Sequence, residues 1–269
     1  MGRRFVYIVL MIAVVGILYY LEKKTPELVE QANGSAIEST TNPENEFGPD
    51  YLPKANGQLI IHRLHALSYR EDHEQAEWVA YQLRPEHLTD HDYKRPYFEE
   101  DPAVKTGAAR YYNYKNTAYN KGHLLPAADR KQSKEAYAET FLMSNVSPQD
   151  PGFNSGIWNR LEQKVRYWAK KYDGVYVVTG GVLEDGLPTI GEEAVSVPEY
   201  FYKIVVNVSD DRYRVSAFLI PNQKTSDSFY DYQVTVDAIE ARTGIDFFYE
   251  LDPKMEAELE SGSWKRLVD

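Results

Sequence analysis

Hydrophobic and polar positions divide the chain into three stretches. Phe5 to Leu21 is an uncharged, strongly apolar run of seventeen residues, preceded by Arg3 and Arg4. As a helix it would extend about 26 Å, near the lower limit for crossing a bilayer, with Tyr19 and Tyr20 at an interface. An uncleaved anchor and a cleaved signal peptide both fit this run. The second lacks a small-x-small site, because Tyr-Tyr-Leu-Glu-Lys-Lys follows. Residues 1–24 are therefore expected to be a membrane anchor or signal segment. Residues 25–56, rich in Glu, Asn, Thr and Pro, read as a flexible linker, and 57–269 as the folded domain. The basic N-terminus predicts that the bulk of the chain is exported, periplasmic or extracellular; Lys23 and Lys24 on the other flank weaken that inference.

Within 57–269, strand-like stretches come first: Leu59-Ile60-Ile61 leading to Leu64 and Leu67, then the alternating Glu77 to Leu83. Later strands are expected at Val175 to Thr179, Phe201 to Val208 and Tyr213 to Ile220. Two helices are predicted. One runs from about Asn154 to Lys171, with Ile157, Leu161, Val165 and Trp168 as an apolar stripe. The other runs from about Tyr232 to Arg242 and ends at Gly244. Strands on both sides of a central helix predict an α+β domain with a central, mainly antiparallel sheet.

Composition narrows the chemistry. Of 269 residues none is cysteine, which excludes disulfides, Cys-ligated zinc and thiol nucleophiles. The formal charge of −11 argues against a protein that coats nucleic acid. Locally the sign reverses. Ala103 to Lys134 carries seven Lys or Arg against Asp129 alone, and Ser155 to Lys171 carries five against Glu162 alone. A basic groove on an acidic body is the expectation, since remote charge reaches only about 8 Å at physiological salt.

The informative stretch is Asn120-Lys121-Gly122-His123-Leu124-Leu125-Pro126-Ala127-Ala128-Asp129-Arg130, followed by Ser144-Asn145-Val146-Ser147-Pro148-Gln149 and then Asn154, Trp158 and Glu162. Phosphodiester hydrolysis needs a base, a cation for the phosphoryl oxygens and a group at the leaving oxygen. His123 suits the first because its ordinary pKa is near neutrality. Asn154 offers a hard neutral oxygen suited to Mg²⁺, and Lys121 and Arg166 offer charge for phosphate. Blander readings stand beside these. Asn154 is also a preferred N-cap residue, Glu162 and Arg166 have the spacing of an i,i+4 ion pair, and Trp158 fits a core position. His87 and His91 have zinc-like spacing, but Leu88 stands where the Glu of a His-Glu-x-x-His motif belongs.

These three blocks, in order and at matching spacing, resemble the DNA/RNA non-specific endonucleases, whose site is of the ββα-metal (His-Me finger) type. The resemblance spans about Gly57 to Leu251. It rests on Gly122-His123 with Pro126-Ala127, Ser144-Asn145 with Pro148-Gln149, and Asn154 with Trp158, Leu161 and Glu162. Thr179-Gly180-Gly181 and Thr243-Gly244-Ile245-Asp246-Phe247-Phe248 add flanking similarity. It implies His123 as general base and Asn154 as the direct protein ligand of Mg²⁺, for which Mn²⁺ can substitute. It further implies Glu162 holding metal-bound water, Arg166 at the leaving group and Asn145 shaping the site, with Arg84 and Asn120 as weaker candidates for substrate phosphate. DNA and RNA are the implied substrates, with products carrying 5′-phosphates. The membrane through residues 5–21 and a homodimer are the further partners considered. Two departures stand out: Asn120 and Lys121 replace the family's Asp-Arg. Lysine keeps the charge and loses the bidentate fork. That pair motivates the alternative of a catalytically impaired nucleic-acid-binding member of the same fold at the cell envelope.

Overall fold

A central antiparallel sheet forms wherever the chain alternates strongly. The computed structural model describes residues 51–209, 212–262 and 266–267. Seven strands lie in the order β1-β2-β3-β6-β9-β10-β11. They are β1 (Gln58–Ile61), β2 (Ala66–Arg70), β3 (Gln75–Leu83), β6 (Val175–Gly181), β9 (Tyr200–Ser209), β10 (Arg212–Pro221) and β11 (Gln233–Val234). Between β3 and β6 the chain makes a separate ribbon of β4 (Asn120–His123) and β5 (Val146–Gln149), with helix α1 (Lys134–Glu139) between them. A short pair, β7 (Thr189–Ile190) and β8 (Val195–Ser196), precedes β9. The expected α+β class with a central antiparallel sheet is what the fold shows.

Alternation along the strands gives the sheet two apolar faces. Val79 and Tyr81 of β3, Val177 of β6 and Phe201 and Val205 of β9 face one core with Leu124, Leu125, Val146, Ile157, Leu161, Val165 and Trp168. Trp78, Ala80, Val178, Tyr202 and Ile204 face the other, under α3 (Val236–Thr243) and α4 (Pro253–Glu260). The first core thus carries both the β4–β5 ribbon and the long helix α2 (Asn159–Lys171).

The helix differs from its predicted start. It begins at a turn, Pro151–Phe153, whose N-cap is Asp150; the Asp150 carboxylate accepts from Gly152 N at 2.8 Å and Phe153 N at 2.9 Å. A π-helical stretch, Asn154–Trp158, follows, kinked at Gly156 (φ −99°, ψ −107°), and then α2. Asn154 therefore lies inside the helix and is not its cap. The second predicted helix also starts later, at Val236. Gln233 and Val234 pair instead with Phe218 and Ala217 of β10, and the Thr235 hydroxyl caps Ala238 N at 3.2 Å. Its end is as expected, with Gly244 left-handed at φ +66°.

The membrane reading is corrected. It placed an anchor over residues 5–21, made the membrane a partner and put the domain on its outer side. Spanning takes about 20 consecutive apolar residues, and no helix among the described residues is long and apolar enough to cross a membrane. The longest, α2, has 13 residues and buries one face beneath Arg160, Lys164, Arg166 and Lys170 on the others. Residues 5–21 lie outside the described residues. Neither a membrane partner nor a membrane-anchored, periplasmic or extracellular placement is retained.

Candidate active site

The chain from β4 through β5 into the helix is one ββα unit, and it carries most of the candidate residues. Its ribbon is short and weakly apolar, so pairing partners define it: Asn120 faces Gln149, Lys121 Pro148, Gly122 Ser147 and His123 Val146. Gly122 leaves room for its neighbour, since a Cβ there would lie 2.1 Å from Gln149 Cδ and push that side chain away. The unit is fixed to the sheet by side-chain bonds. Ser147 Oγ donates to Gln75 Oε1 of β3 at 2.6 Å. Asn222, after β10, donates to Pro148 O at 3.1 Å and accepts from Asp150 N at 2.8 Å.

His123 packs between aromatic rings, 5.4 Å from Phe98 and edge-on to Phe141 at 4.9 Å. Its Nε2 is buried and has no hydrogen-bond partner. Burial first, and the nearby Arg95 cation second, push its pKa down to about 4, so the imidazole is neutral at pH 7. Asn120, where the family has Asp, is exposed at the start of β4. Lys121 lies beside it, its Nζ 5.7 Å from the Phe98 ring and 5.5 Å from Tyr114, with its pKa lowered by burial and by Arg95.

Asn145 is fully buried and spends its amide on the loop that follows His123. Its Oδ1 accepts from Leu125 N at 2.8 Å, and its Nδ2 donates to Leu125 O at 3.0 Å and Thr140 O at 2.8 Å. It braces His123 from behind rather than facing a ligand.

On α2, Glu162 and Arg166 are not the simple pair their spacing allows. Arg166 Nη1 donates to Asp129 Oδ1 at 2.9 Å, and Tyr81 OH donates to Asp129 Oδ2 at 3.2 Å. Asp129 comes from the loop after β4 and is itself buried. Glu162 is raised by burial, against the pull of Lys203 and Arg166. Lys203 escaped the sequence reading. It is fully buried in β9, with Nζ 3.1 Å from Thr179 Oγ1 and 4.6 Å from the centre of the Trp158 ring. Burial lowers its pKa while Glu162 and Asp129 oppose that shift. A single lysine in a strand with no other charged residue was the available signal.

Arg84 is held apart at the end of β3, with Nε 2.6 Å from Glu86 Oε1. No described contact joins it to His123. His87 is buried and accepts from Arg84 N at 3.2 Å, while His91 is exposed in a loop, so the two do not share a helix face.

Hard oxygen donors collect on this unit. The Asn154 amide and the Glu162 carboxylate have no described hydrogen bond, and the buried Gln149 amide has no partner for either atom. Two groups of three carboxylates that could hold a metal among the described residues, Asp237-Glu240-Glu260 and Asp246-Glu256-Glu260, lie on the opposite face of the sheet. The Asn154 amide and the Glu162 carboxylate are the kind of hard oxygen donors that suit a small divalent cation keeping most of its waters.

The model of the DNA/RNA non-specific endonuclease family matches residues 44–254. The chain belongs to that family. It is 31% identical over 265 residues to the mitochondrial nuclease EXOG of Danio rerio, covering 92% of this chain and 74% of that one. It is 30% identical to a nuclease of Nostoc, covering 90% and 91%. A crystal structure of an EndoG/EndoGI complex matches with a TM-score of 0.70 at 28% identity, over 80% of this chain and 94% of that one. The protein is thus an endonuclease of the His-Me finger type, related to EndoG and EXOG, that acts on nucleic acids.

Proposed function

We propose that this endonuclease hydrolyses phosphodiester bonds in both DNA and RNA, with His123 as general base and a bound Mg²⁺. The observation that carries this is the neutral His123 imidazole, without a described hydrogen bond, on the same ββα unit as Asn154. The neutral His123 imidazole takes a proton from the attacking water, and the Asn145 brace holds the ring's loop in place. Asn154 would be the direct ligand of Mg²⁺, or of Mn²⁺ in its stead, and Glu162 would orient water around it. When bound, the cation neutralises charge on the phosphoryl and leaving oxygens. Lys121 supplies positive charge to a non-bridging oxygen as a point charge. Arg166, with five donors and one carboxylate partner, keeps N–H groups for the leaving oxygen. Asn120 and Arg84 enter only as outer contacts to phosphate. The products would carry 5′-phosphates.

Plasmid DNA and RNA incubated with the protein and Mg²⁺ should both be degraded, and EDTA should stop it. His123→Ala should lower the rate by about 10²–10⁴, the usual contribution of a general base. Intact substrates with Mg²⁺ across pH 5–9 would overturn the reading; degradation surviving both EDTA and His123→Ala would overturn the mechanism.

A further inference from the structure

Beside His123 lies a cavity of about 580 Å³, walled by Lys94, Arg95, Tyr97, Phe98, Tyr111 and Lys121. That size falls within the range of about 300–1,000 Å³ common for small-molecule sites. It adjoins the site directly, because Phe98 packs on the His123 ring and Lys121 is two residues before it. Two of its cations are already placed against rings: the Arg95 guanidinium lies 5.6 Å from Phe98 and 5.4 Å from Phe141, and Lys121 Nζ lies 5.7 Å from Phe98. Tyr97 is the exception. It is 90% exposed, and no described residue bonds to it or stacks on it. A solvated tyrosine alone means little. One bordering a cavity with three cations and a catalytic-side aromatic is a vacant stacking surface inside a phosphate-attracting field.

A second basic cavity makes the contrast. It is about 430 Å³ and includes Lys131, Arg166, Tyr167 and Lys170. There the Tyr167 ring is taken by Lys164 Nζ at 4.6 Å and Lys171 Nζ at 5.8 Å. That surface offers charge for a backbone and no free ring for a base.

We infer that the cavity at Tyr97 takes one unpaired nucleobase of the substrate strand next to the phosphate at His123, and so favours single-stranded over duplex substrate. The inference rests on the nuclease reading above. Only a base out of its duplex stack can present its face to a side chain, while Lys94, Arg95 and Lys121 hold the flanking phosphates whichever base is bound. The subsite is therefore strand-selective without being sequence-selective.

Tyr97→Ala tests it, with Tyr97→Trp as the conservative variant; a side chain this exposed can be replaced without loss of folding, which Tm checks. For Tyr97→Ala, KM on a single-stranded oligonucleotide should rise about tenfold more than on the matching duplex, in line with the loss of one base–aromatic stack, and Tyr97→Trp should restore it. In the His123→Ala background a 2-aminopurine oligonucleotide should be quenched on binding, and the quench should vanish with Tyr97→Ala. Equal changes on both substrates, or a quench that survives Tyr97→Ala, would overturn the subsite. Adenosine monophosphate binding as tightly as the oligonucleotide would overturn it too, by making the cavity a free-nucleotide site. Failure of the wild type to cut either substrate would sink the nuclease reading instead, and the quench would still decide the subsite.

Discussion

The two faces of the central sheet bury ionisable groups in opposite ways. Under α2, acids meet cations: Glu162 has Lys203 and Arg166 acting on it, and Asp129 is paired with Arg166. Behind the sheet, Glu260 on α4 is only 8% exposed, and the groups acting on it are other acids, Glu240, Glu256 and Asp237. Burial and these neighbours raise its pKa to about 8. The site face thus keeps charge inside by balancing it, while the far face favours a protonated Glu260. His123 adds a third solution, a base that stays neutral because its surroundings are apolar and cationic. Compensated charge is what a face that handles phosphate requires; the far face tolerates a shared proton.

The largest effect should come from removing the balance. Lys203→Met keeps the volume beside Trp158 and deletes the buried ammonium, leaving Glu162 with one cation fewer. Stripping a buried carboxylate of one of its neighbouring cations costs about 3 kcal/mol, a fall in Tm of roughly 6–12 °C for a domain of this size, measurable by urea or thermal unfolding. Adding Glu162→Gln should recover part of the loss, because the stranded carboxylate is gone. A Lys203→Met protein as stable as the wild type would mean that the two faces do not differ in this way.

His123 gives the next effect. With its pKa near 4, kcat/KM should stay nearly level down to pH 5.5, where an ordinary histidine of pKa about 6.5 would already have lost about tenfold. The same shift bears on stability. The folded state binds fewer protons than the unfolded one between pH 4 and 6.5, so the stabilising contribution is complete above 6.5 and is lost as the pH falls towards 4. An activity limb centred at 6.5 would remove the burial account of His123.

The parts of this comparison that could be read in the sequence are those with short-range signals. The strands Glu77 to Leu83 and Phe201 to Val208 carry their alternation or β-branched density openly, and the three blocks around His123, Asn145 and Asn154 keep their spacing. The ribbon was not legible: Asn-Lys-Gly-His has no apolar alternation and becomes a strand only because Val146–Gln149 pairs with it. Arg166 looked like a partner for Glu162 at i,i+4, yet Asp129, 37 residues away in sequence, holds it. Lys203 was visible as an oddity in β9, but only the packing of β9 against α2 shows that it belongs to the site. Asp150 took the capping role that Asn154 had seemed fit for, because Pro151 starts the helix one turn earlier. Long-range pairing decided each of these cases.

The smallest effect tests the far face and has the opposite sign with pH. Glu260 has its folded pKa raised from the usual carboxyl value to about 8, so the folded state binds more protons than the unfolded one between about pH 4.5 and 8. Its favourable state is fully present below 4.5 and is lost as the pH rises through 8. Glu260→Gln replaces the protonated acid with an isosteric neutral amide. Near pH 5 the variant and the wild type should melt together. Near pH 9, where Glu260 would otherwise join Glu240 and Glu256 as a charge, the variant should be more stable by about 1 kcal/mol after allowance for solvent screening, or about 2–4 °C in Tm. Thermal unfolding of both proteins at the two pH values is the measurement. A gain of equal size at pH 5 and 9 would show that the repulsion is not what raises Glu260, and the contrast between a balanced face and a proton-sharing one would then rest on the site side alone.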